Sequence, residues 1–252
     1  MAKLSILNTW KQVLLYVSRN PRRFINKLII PIAISFLGLL LITLNNNNYL
    51  PGSETLYLIT NYILDTIALI LLAINMHRLY LLDGEGLSEW GRTNWKGRET
   101  TYLLVFIALG ILFFLVFTPS FIAVTVINSE IALYIVTAAI FAVAFYISSR
   151  LSLVLPAIAT DHQWSIYEAW ELSKNNGWRL SITLFFFQIV GWAILYLIDQ
   201  AIIFSGFKLG SLPTFTNEVF IYLLNITIES LSLLTLSACY LTLRTNESIV
   251  SD

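Results

Sequence analysis

Six separate stretches of about 20 apolar residues run through this chain, and they limit what it can fold into more than any other feature. A helix of that length is about 30 Å long, which matches the hydrocarbon core of a bilayer. The sequence therefore predicts one integral membrane domain, 1–252, with an all-α fold: a polytopic transmembrane bundle of six helices. The predicted spans are 28–44, 56–76, 101–117, 131–150, 181–200 and 220–243.

The composition agrees with a membrane protein and excludes several other classes. Charged residues make up 12% of the chain, against about 25% in soluble domains. With 15 basic and 15 acidic residues the net charge is zero, which argues against a basic nucleic-acid binder. The single cysteine, Cys239, excludes an internal disulfide. His77 and His162, the only two histidines, are too few for a zinc or haem site built from nitrogen and sulfur ligands. We expect no cofactor, no metal and no nucleic-acid partner.

Two further segments have the pattern of amphipathic helices. At 4–19 apolar residues recur every three or four positions and Asn20-Pro21 ends the pattern. At 165–176, Ser165 followed by Glu168 predicts a capping box, and Asn175-Asn176-Gly177 predicts the stop. We expect both to be interfacial helices that lie on the cytoplasmic surface of the membrane.

The basic residues predict the orientation of the chain. With six spans, 14 lysines and arginines fall on the side of both termini and only Lys208 falls on the other. Cytoplasmic loops carry the excess of basic residues. The sequence therefore predicts a multi-pass protein of a bacterial inner (plasma) membrane with both termini in the cytoplasm.

Six of the seven tryptophans fall in the same predicted inner segments, and Trp192 lies within a span. Indole rings favour the headgroup level of a membrane, so we interpret the six as interfacial anchors. A groove for a lipid or a partner is the alternative. The six are Trp10, Trp90, Trp95, Trp164, Trp170 and Trp178.

Three arginines at the inner ends of spans are candidates for binding a lipid headgroup: Arg78, Arg150 and Arg179. Simple anchoring of the topology is the alternative. Spans two and four both end in an arginine–leucine pair followed by apolar residues, tryptophans and another basic residue. This weak similarity suggests an internal duplication, although any two inner loops could share it.

The segment after span four also resembles that of six-span bacterial inner-membrane proteins, among them the YciC-like proteins and the membrane domain of some glycerophosphodiester phosphodiesterases. The positions that carry the resemblance are Arg150, Leu151, Leu155, Pro156, Ala157, Ala169, Trp170, Leu172, Ser173, Lys174, Gly177 and Arg179. The run from His77-Arg78 to Leu81-Leu82 is similar to uncharacterised alphaproteobacterial proteins of this size, except that Asp83 intervenes before Gly84-Glu85. The resemblance implies a membrane domain without an assigned reaction.

Two acidic residues lie near the middle of predicted spans, Asp65 in the second and Glu229 in the sixth, each four residues after an asparagine, Asn61 or Asn225. An aspartate at that depth costs about 2.5–3.5 kcal/mol, so we expect these residues to face the interior of the bundle. One interpretation is a proton or cation relay, or a polar ligand site. The other is an interhelical hydrogen bond. Equal depth and matching asparagines lead us to expect that the two carboxyl groups face each other.

These features favour a non-enzymatic membrane protein that organises lipids or partners at the inner leaflet, with membrane lipids, a membrane protein or a second copy as partners. A small proton- or ion-coupled transporter that uses the intramembrane carboxylates is the first alternative. A lipid-headgroup enzyme is the second, and its only candidate residues at the inner interface are Asp83, Glu85, Asp161 and His162.

Overall fold

The structure, a computed structural model, describes residues 3–46, 53–91, 95–127, 129–204 and 214–251. These residues form ten α-helices and no strand longer than one isolated bridge, and six helical segments are long and apolar enough to cross a membrane. The all-α fold with six spans is therefore confirmed, and the chain is a multi-pass membrane protein. The helices are α1 (Ile6–Arg19), α2 (Pro21–Asn46), α3 (Glu54–Leu81), α4 (Gly97–Phe117), α5 (Pro119–Val126), α6 (Glu130–Leu151), α7 (Val154–Ala159), α8 (Ile166–Leu172), α9 (Gly177–Phe204) and α10 (Thr214–Ser251).

The six spans are Pro21–Asn45, Thr55–Leu81, Gly97–Val126, Glu130–Ala159, Gly177–Ile198 and Val219–Thr245. They coincide in number and order with the predicted ones, and most begin earlier or end later. The first is an example, because α2 starts at Pro21 rather than near residue 28. Proline suits the first position of a helix, where its missing N–H has no partner to lose. Lys208, the basic residue predicted on the opposite side of the membrane, lies outside the described residues.

Local signals explain where several helices begin. The hydroxyl of Ser53 accepts a hydrogen bond from the backbone N–H of Leu56 and so caps α3. Only the serine half of the capping box predicted at Ser165 and Glu168 is present. The hydroxyl of Ser165 accepts from the N–H of Glu168 at 3.0 Å, whereas among the described contacts the Glu168 carboxylate does not accept from the N–H of Ser165. Asn175 adopts a positive φ of 65° between α8 and α9, where the sequence predicts the stop. Helices thus occur in both segments predicted to be amphipathic, and their position on the membrane surface stays a prediction.

Spans three and four each consist of two helices. Pro119 starts α5 directly after α4, since its ring prevents α4 from continuing. Span four breaks at Ser152-Leu153, and Pro156 lies in the first turn of α7, where no intrahelical N–H bond is needed. The predicted apolar continuation beyond residue 150 is therefore a separate short helix.

The contacts divide the chain into two compact units. The first unit comprises Met1–Gln12, Trp95–Leu184 and Thr235–Asp252. Within it, α4 packs against α6 and α7, and α6 also contacts α5 and α8. Aromatic rings fill the contact between α4 and α6, where Phe113 and Phe117 both meet the ring of Phe141 edge to face. Such pairs add about 0.5–1.5 kcal/mol beyond the area they bury.

The second unit comprises Val13–Asn94 and Phe185–Leu234, and its main contact is the antiparallel pair of α2 and α3. These two helices approach closely at Gly38, where an added Cβ would collide with Oδ1 of Asn61. The hydroxyl of Tyr16 donates to the carbonyl oxygen of Leu79 at 2.6 Å. Burial, with the nearby charge of Asp83, raises the pKa of Tyr16 to about 12, so this hydroxyl stays protonated and remains a donor.

Many large apolar side chains of the spans are exposed at the protein surface. On α4 they include Leu104, Ile107, Ile111, Phe114 and Leu115. A soluble protein seldom exposes such a continuous apolar surface. In a bilayer these side chains contact acyl chains, and the backbone polar groups are satisfied within each helix.

Candidate functional site

The Arg150 side chain of the first unit is 7% exposed, although it lies at the end of a transmembrane helix. Its Nε donates to the hydroxyl of Ser173 at 2.8 Å, and its Nη2 donates to the carbonyl oxygen of Trp170 at 2.5 Å. Its Nη1 is 3.3 Å from the hydroxyl of Tyr146. All three guanidinium nitrogens thus form hydrogen bonds within the protein, and these bonds fix the orientation of the guanidinium plane.

The same guanidinium stacks on an aromatic ring. The Cζ atom of Arg150 lies 3.5 Å from the ring centroid of Trp170 and 5.6 Å from that of Tyr146. Cation–π attraction of this kind contributes about 2 kcal/mol when the groups are desolvated. The Tyr146 ring in turn contacts Trp178, with 4.7 Å between centroids. A positive charge is therefore fixed against a wall of three aromatic rings.

A cavity of about 480 Å³ opens beside Arg150. Two more cationic side chains line it, Lys174 and Arg179, together with the anionic Glu171. Lys174 pairs with Glu171 at 3.2 Å, and Nη1 of Arg179 donates to the carbonyl oxygen of Leu4 at 3.0 Å. Three positive charges against one negative charge make this cavity suited to an anion.

The local sequence explains why these groups converge. Tyr146 precedes Arg150 by four residues, so both side chains lie on one face of α6. Gly177 begins α9 where the Tyr146 ring packs, and a Cβ there would lie 2.5 Å from Cε2 of that ring. Asn176 is buried and accepts a hydrogen bond from the N–H of Leu4 at 2.8 Å, which fixes the turn before α9.

The structure brings two of the three predicted headgroup arginines to one cavity. Arg150 and Arg179 line it, whereas Arg78 belongs to the second unit. There Nε and Nη2 of Arg78 both donate to the carbonyl oxygen of Glu85, at 3.1 and 2.8 Å. Gly86 lies so close that a Cβ on it would be 2.6 Å from Nη2 of Arg78. Arg78 thus fixes the loop that follows α3.

The predicted tryptophan anchors have different surroundings. Trp10 donates its indole N–H to the carbonyl oxygen of Thr183 at 3.0 Å, and Trp95 donates to the hydroxyl of Thr100 at 2.9 Å. Trp170 and Trp178 line the Arg150 cavity, and Trp164 lines a second cavity of the same unit. Trp90 is half exposed in the loop after α3.

The two intramembrane acids line one cavity of about 350 Å³ in the second unit. Asp65 and Glu229 each lie ten residues after the first residue of their span, 55 to 65 and 219 to 229. At 1.5 Å per residue each is about 15 Å along its helix. Asn61 donates to Oδ2 of Asp65 at 3.0 Å, and Asn225 lines the cavity beside Glu229. Asp65 is half-buried and Glu229 is exposed.

Two of the acids considered for a lipid-headgroup enzyme form ion pairs. Asp83 pairs with Arg23 at 2.7 Å, and Asp161 pairs with Arg98 at 2.6 Å. Across the described part of the chain, no group of three or more histidine, cysteine, aspartate or glutamate side chains is placed to hold a metal ion.

The structure places three residues that were not predicted as site residues around Arg150 or its cavity: Tyr146, Ser173 and Lys174. A signal was available for Tyr146, since its spacing of four residues from Arg150 puts both on one helical face. Ser173 and Lys174 gave no such signal, because only the fold of the segment after span four brings them back to α6.

Comparisons with protein-family models, with curated proteins and with solved structures find no match to this chain. Its function has to be inferred from the fold and from the geometry of its cavities.

Proposed function

We propose that this chain is a non-enzymatic protein of a bacterial inner membrane that binds anionic phospholipid headgroups at the inner leaflet and so organises lipids or partners there. The observation that carries the proposal is the fixed guanidinium of Arg150, stacked at 3.5 Å on Trp170 beside a cavity that Lys174 and Arg179 also line. Guanidinium and ammonium groups are the usual partners of phosphate in proteins.

The position of the cavity along the chain supports this proposal. Its residues come from the end of span four, α8 and the start of span five, which face the same side of the membrane. The excess of basic residues on that side favours the cytoplasm. Headgroups of the inner leaflet are at this level, and anionic lipids attract clustered lysine and arginine side chains there.

Lipid binding by the purified full chain tests the proposal. The protein in detergent is titrated with phosphatidylglycerol, and bound lipid is counted by native mass spectrometry. The double variant Lys174→Gln/Arg179→Gln should bind this lipid at least about a hundredfold more weakly, because each of the two lost charge-assisted hydrogen bonds weakens binding by about 1.5–3 kcal/mol. The matched control is Arg19→Gln at the end of α1, an exposed arginine outside the cavity. Equal binding by the double variant, the control and the wild type would contradict the proposal.

The orientation has its own test. A reporter that fluoresces only in the cytoplasm is fused to the C-terminus, and alkaline phosphatase, active only outside, is fused at the same point in a parallel chain. Cytoplasmic termini predict fluorescence without phosphatase activity. The opposite pattern would place the Arg150 cavity at the outer leaflet.

The proposal also covers the protein partners of this chain and the group of proteins that it resembles. A membrane protein or a second copy of the chain should co-purify in mild detergent together with lipid. A lipid-free monomer without partners would count against an organising role. The resemblance of residues 150–179 to the YciC-like group supports a place among membrane domains without an assigned reaction.

Proton- or cation-coupled transport is the second candidate, and the shared cavity of Asp65 and Glu229 favours it. In proteoliposomes that contain a pH-sensitive dye, the wild type should dissipate an imposed proton gradient and Asp65→Asn should not. Glu130→Gln is the control, because it removes an exposed acid at the first residue of α6, outside the cavity of Asp65 and Glu229. Equal rates for Asp65→Asn and wild type would exclude a role for Asp65 in proton transport.

A further inference from the structure

A second cavity of the first unit, of about 770 Å³, also borders α8. It is lined by α7, by the loop before α8, by one side of α8 and by the last turns of span six. Glu171 lines both this cavity and the one beside Arg150. The end of span four and the end of span six lie on the same side of the membrane, so both cavities are at the same headgroup level.

The charges that line this cavity differ from those beside Arg150. Among the described residues of its lining, Arg244 is the one arginine or lysine, and Glu168 and Glu171 are the acids. Glu171 is neutralised by its ion pair with Lys174 at 3.2 Å. That leaves one cation and one anion, Arg244 and Glu168, and in the described part of the chain neither forms an ion pair with the other or with a third group.

His162 does not add a second positive charge at neutral pH. Partial burial and the charge of Arg244 lower the pKa of His162, and the nearby Asp161 offsets this only in part. Its Nδ1 is 2.8 Å from the hydroxyl of Thr160. The cavity therefore presents one positive and one negative group.

Geometry holds the arginine in place. Nη1 of Arg244 donates to the hydroxyl of Tyr240 at 2.8 Å, and Tyr240 itself is 7% exposed. The Cζ atom of Arg244 lies 5.8 Å from the centroid of the same ring. As far as the described residues go, the other guanidinium N–H groups remain for a ligand. Glu168 is exposed on α8, and its backbone N–H donates to the hydroxyl of Ser165. Its carboxylate forms no ion pair in the described part of the chain, so the carboxylate can bind a ligand.

Apart from Gln163 and Ser165, the rest of the lining is apolar or aromatic. Leu153, Val154 and Ala157 are buried residues that form part of its wall, and Trp164 and Tyr167 contribute rings. A lining of this kind, with a few placed polar groups, is typical of small-molecule sites, and its volume falls within their usual range of about 300–1,000 Å³.

We infer that this cavity binds a headgroup that carries a phosphate and a primary ammonium together, with Arg244 on the phosphate and Glu168 on the ammonium. A zwitterion neutralises both unpaired groups at once. A headgroup that is only anionic leaves Glu168 uncompensated and adds repulsion. A quaternary ammonium has no N–H to donate, so a carboxylate gains less from it than from a primary one. This inference rests on other residues than the proposed function, and either can fail alone.

Competition between headgroups on the purified full chain tests the inference. The protein in detergent is titrated with phosphatidylethanolamine, phosphatidylcholine and phosphatidylglycerol, and bound lipid is counted by native mass spectrometry. A second arm adds water-soluble glycerophosphoethanolamine, which shares the headgroup chemistry without acyl chains. Glu168→Gln and Arg244→Gln are compared with the wild type, and Glu130→Gln and Arg19→Gln are the matched controls. All four replaced side chains are exposed, so the variants should fold.

Binding of phosphatidylethanolamine that falls about tenfold in both cavity variants, with little change for phosphatidylcholine and phosphatidylglycerol and no change in either control, supports the inference. Displacement by glycerophosphoethanolamine at similar concentrations identifies a soluble ligand of the same chemistry, and its failure to displace identifies the lipid. An equal loss of all three lipids in the cavity variants, a greater loss of phosphatidylglycerol than of phosphatidylethanolamine, binding unaffected by either variant, or no binding of any of these compounds would each overturn it. If Glu168→Gln aggregates, Glu168→Ala takes its place, and if Arg244→Gln aggregates, Arg244→Ala does, with the same expected loss of binding.

Discussion

Two arginines at helix ends, each with the segment that follows its helix, occur in the same sequence pattern but have different surroundings in the structure. We call each of the two an arginine corner. Arg78 and Arg150 each lie in the last turn of a long helix, each precedes a leucine, and each is 7% exposed. Both donate to a backbone carbonyl of the next segment. At Arg78 that segment is a short glycine-rich loop that closes over the guanidinium. At Arg150 it contains α7 and α8, and a cavity remains open.

The comparison shows that a buried arginine at a helix end has two separable roles. It anchors the next segment in both corners, since a main-chain carbonyl accepts its N–H groups. It presents charge to a ligand only at Arg150, where the next segment is long enough to supply walls of its own. Four predictions test this difference, from the largest expected effect to the smallest.

Closing the loop over Arg78 should depend on a residue without a side chain. Gly86 has a φ of 71°, and a Cβ there would lie 2.6 Å from Nη2 of Arg78. Gly86→Ala should therefore lower stability by about 3 kcal/mol, through backbone strain and displacement of the guanidinium. Thermal unfolding in detergent measures this. Gly97→Ala, where a Cβ meets nothing within 4 Å, is the control and should change little.

The corresponding glycine of the other corner should affect binding more than stability. A Cβ at Gly177 would displace the ring of Tyr146, from which it is 2.5 Å away, into the Arg150 cavity. Because this ring borders open space, we expect a stability loss of about 1–2 kcal/mol and about tenfold weaker binding of phosphatidylglycerol. Native mass spectrometry measures the loss of lipid binding, and thermal unfolding of the same sample measures the loss of stability. Wild-type affinity in Gly177→Ala would show that the cavity is not the lipid site.

Lysine in place of each arginine should separate anchoring from ligand binding. Lysine keeps the charge but loses the planar fork and the stacking on Trp170. Arg150→Lys should weaken phosphatidylglycerol binding by about tenfold, whereas Arg78→Lys should leave the affinity as it is. Equal losses in the two variants would mean that the corners are not functionally different.

The smallest effect is expected from pH. The pKa of His162 is lowered in the folded protein, first by burial and then by Arg244. The unfolded chain therefore binds the proton more readily, and the stabilisation present above about pH 6.5 is lost as the pH falls below it. Thermal unfolding between pH 8 and 5 should show this loss in the wild type and not in His162→Gln. Parallel curves for the two proteins would refute a lowered pKa.

Much of the fold could be predicted because the bilayer imposes it. Apolar length, the turn at Asn20-Pro21 and the serine cap at 165 are local features, and each is present in the structure. The predicted pairing of Asp65 and Glu229 used equal depth in their spans, and both now line one cavity. The residues that surround Arg150 were harder to predict from the sequence, because Lys174 and Ser173 lie more than twenty residues after Arg150.

The sequence by itself determined that the chain is helical and crosses the membrane six times, since both follow from the cost of placing charge and unpaired backbone groups in hydrocarbon. Only the tertiary structure decided which buried arginine borders a cavity and which is enclosed by its loop. This difference depends on the path of the segment after the helix. The backbone at Gly86 lies directly against the guanidinium of Arg78, whereas the segment that contains α8 leaves a cavity beside Arg150.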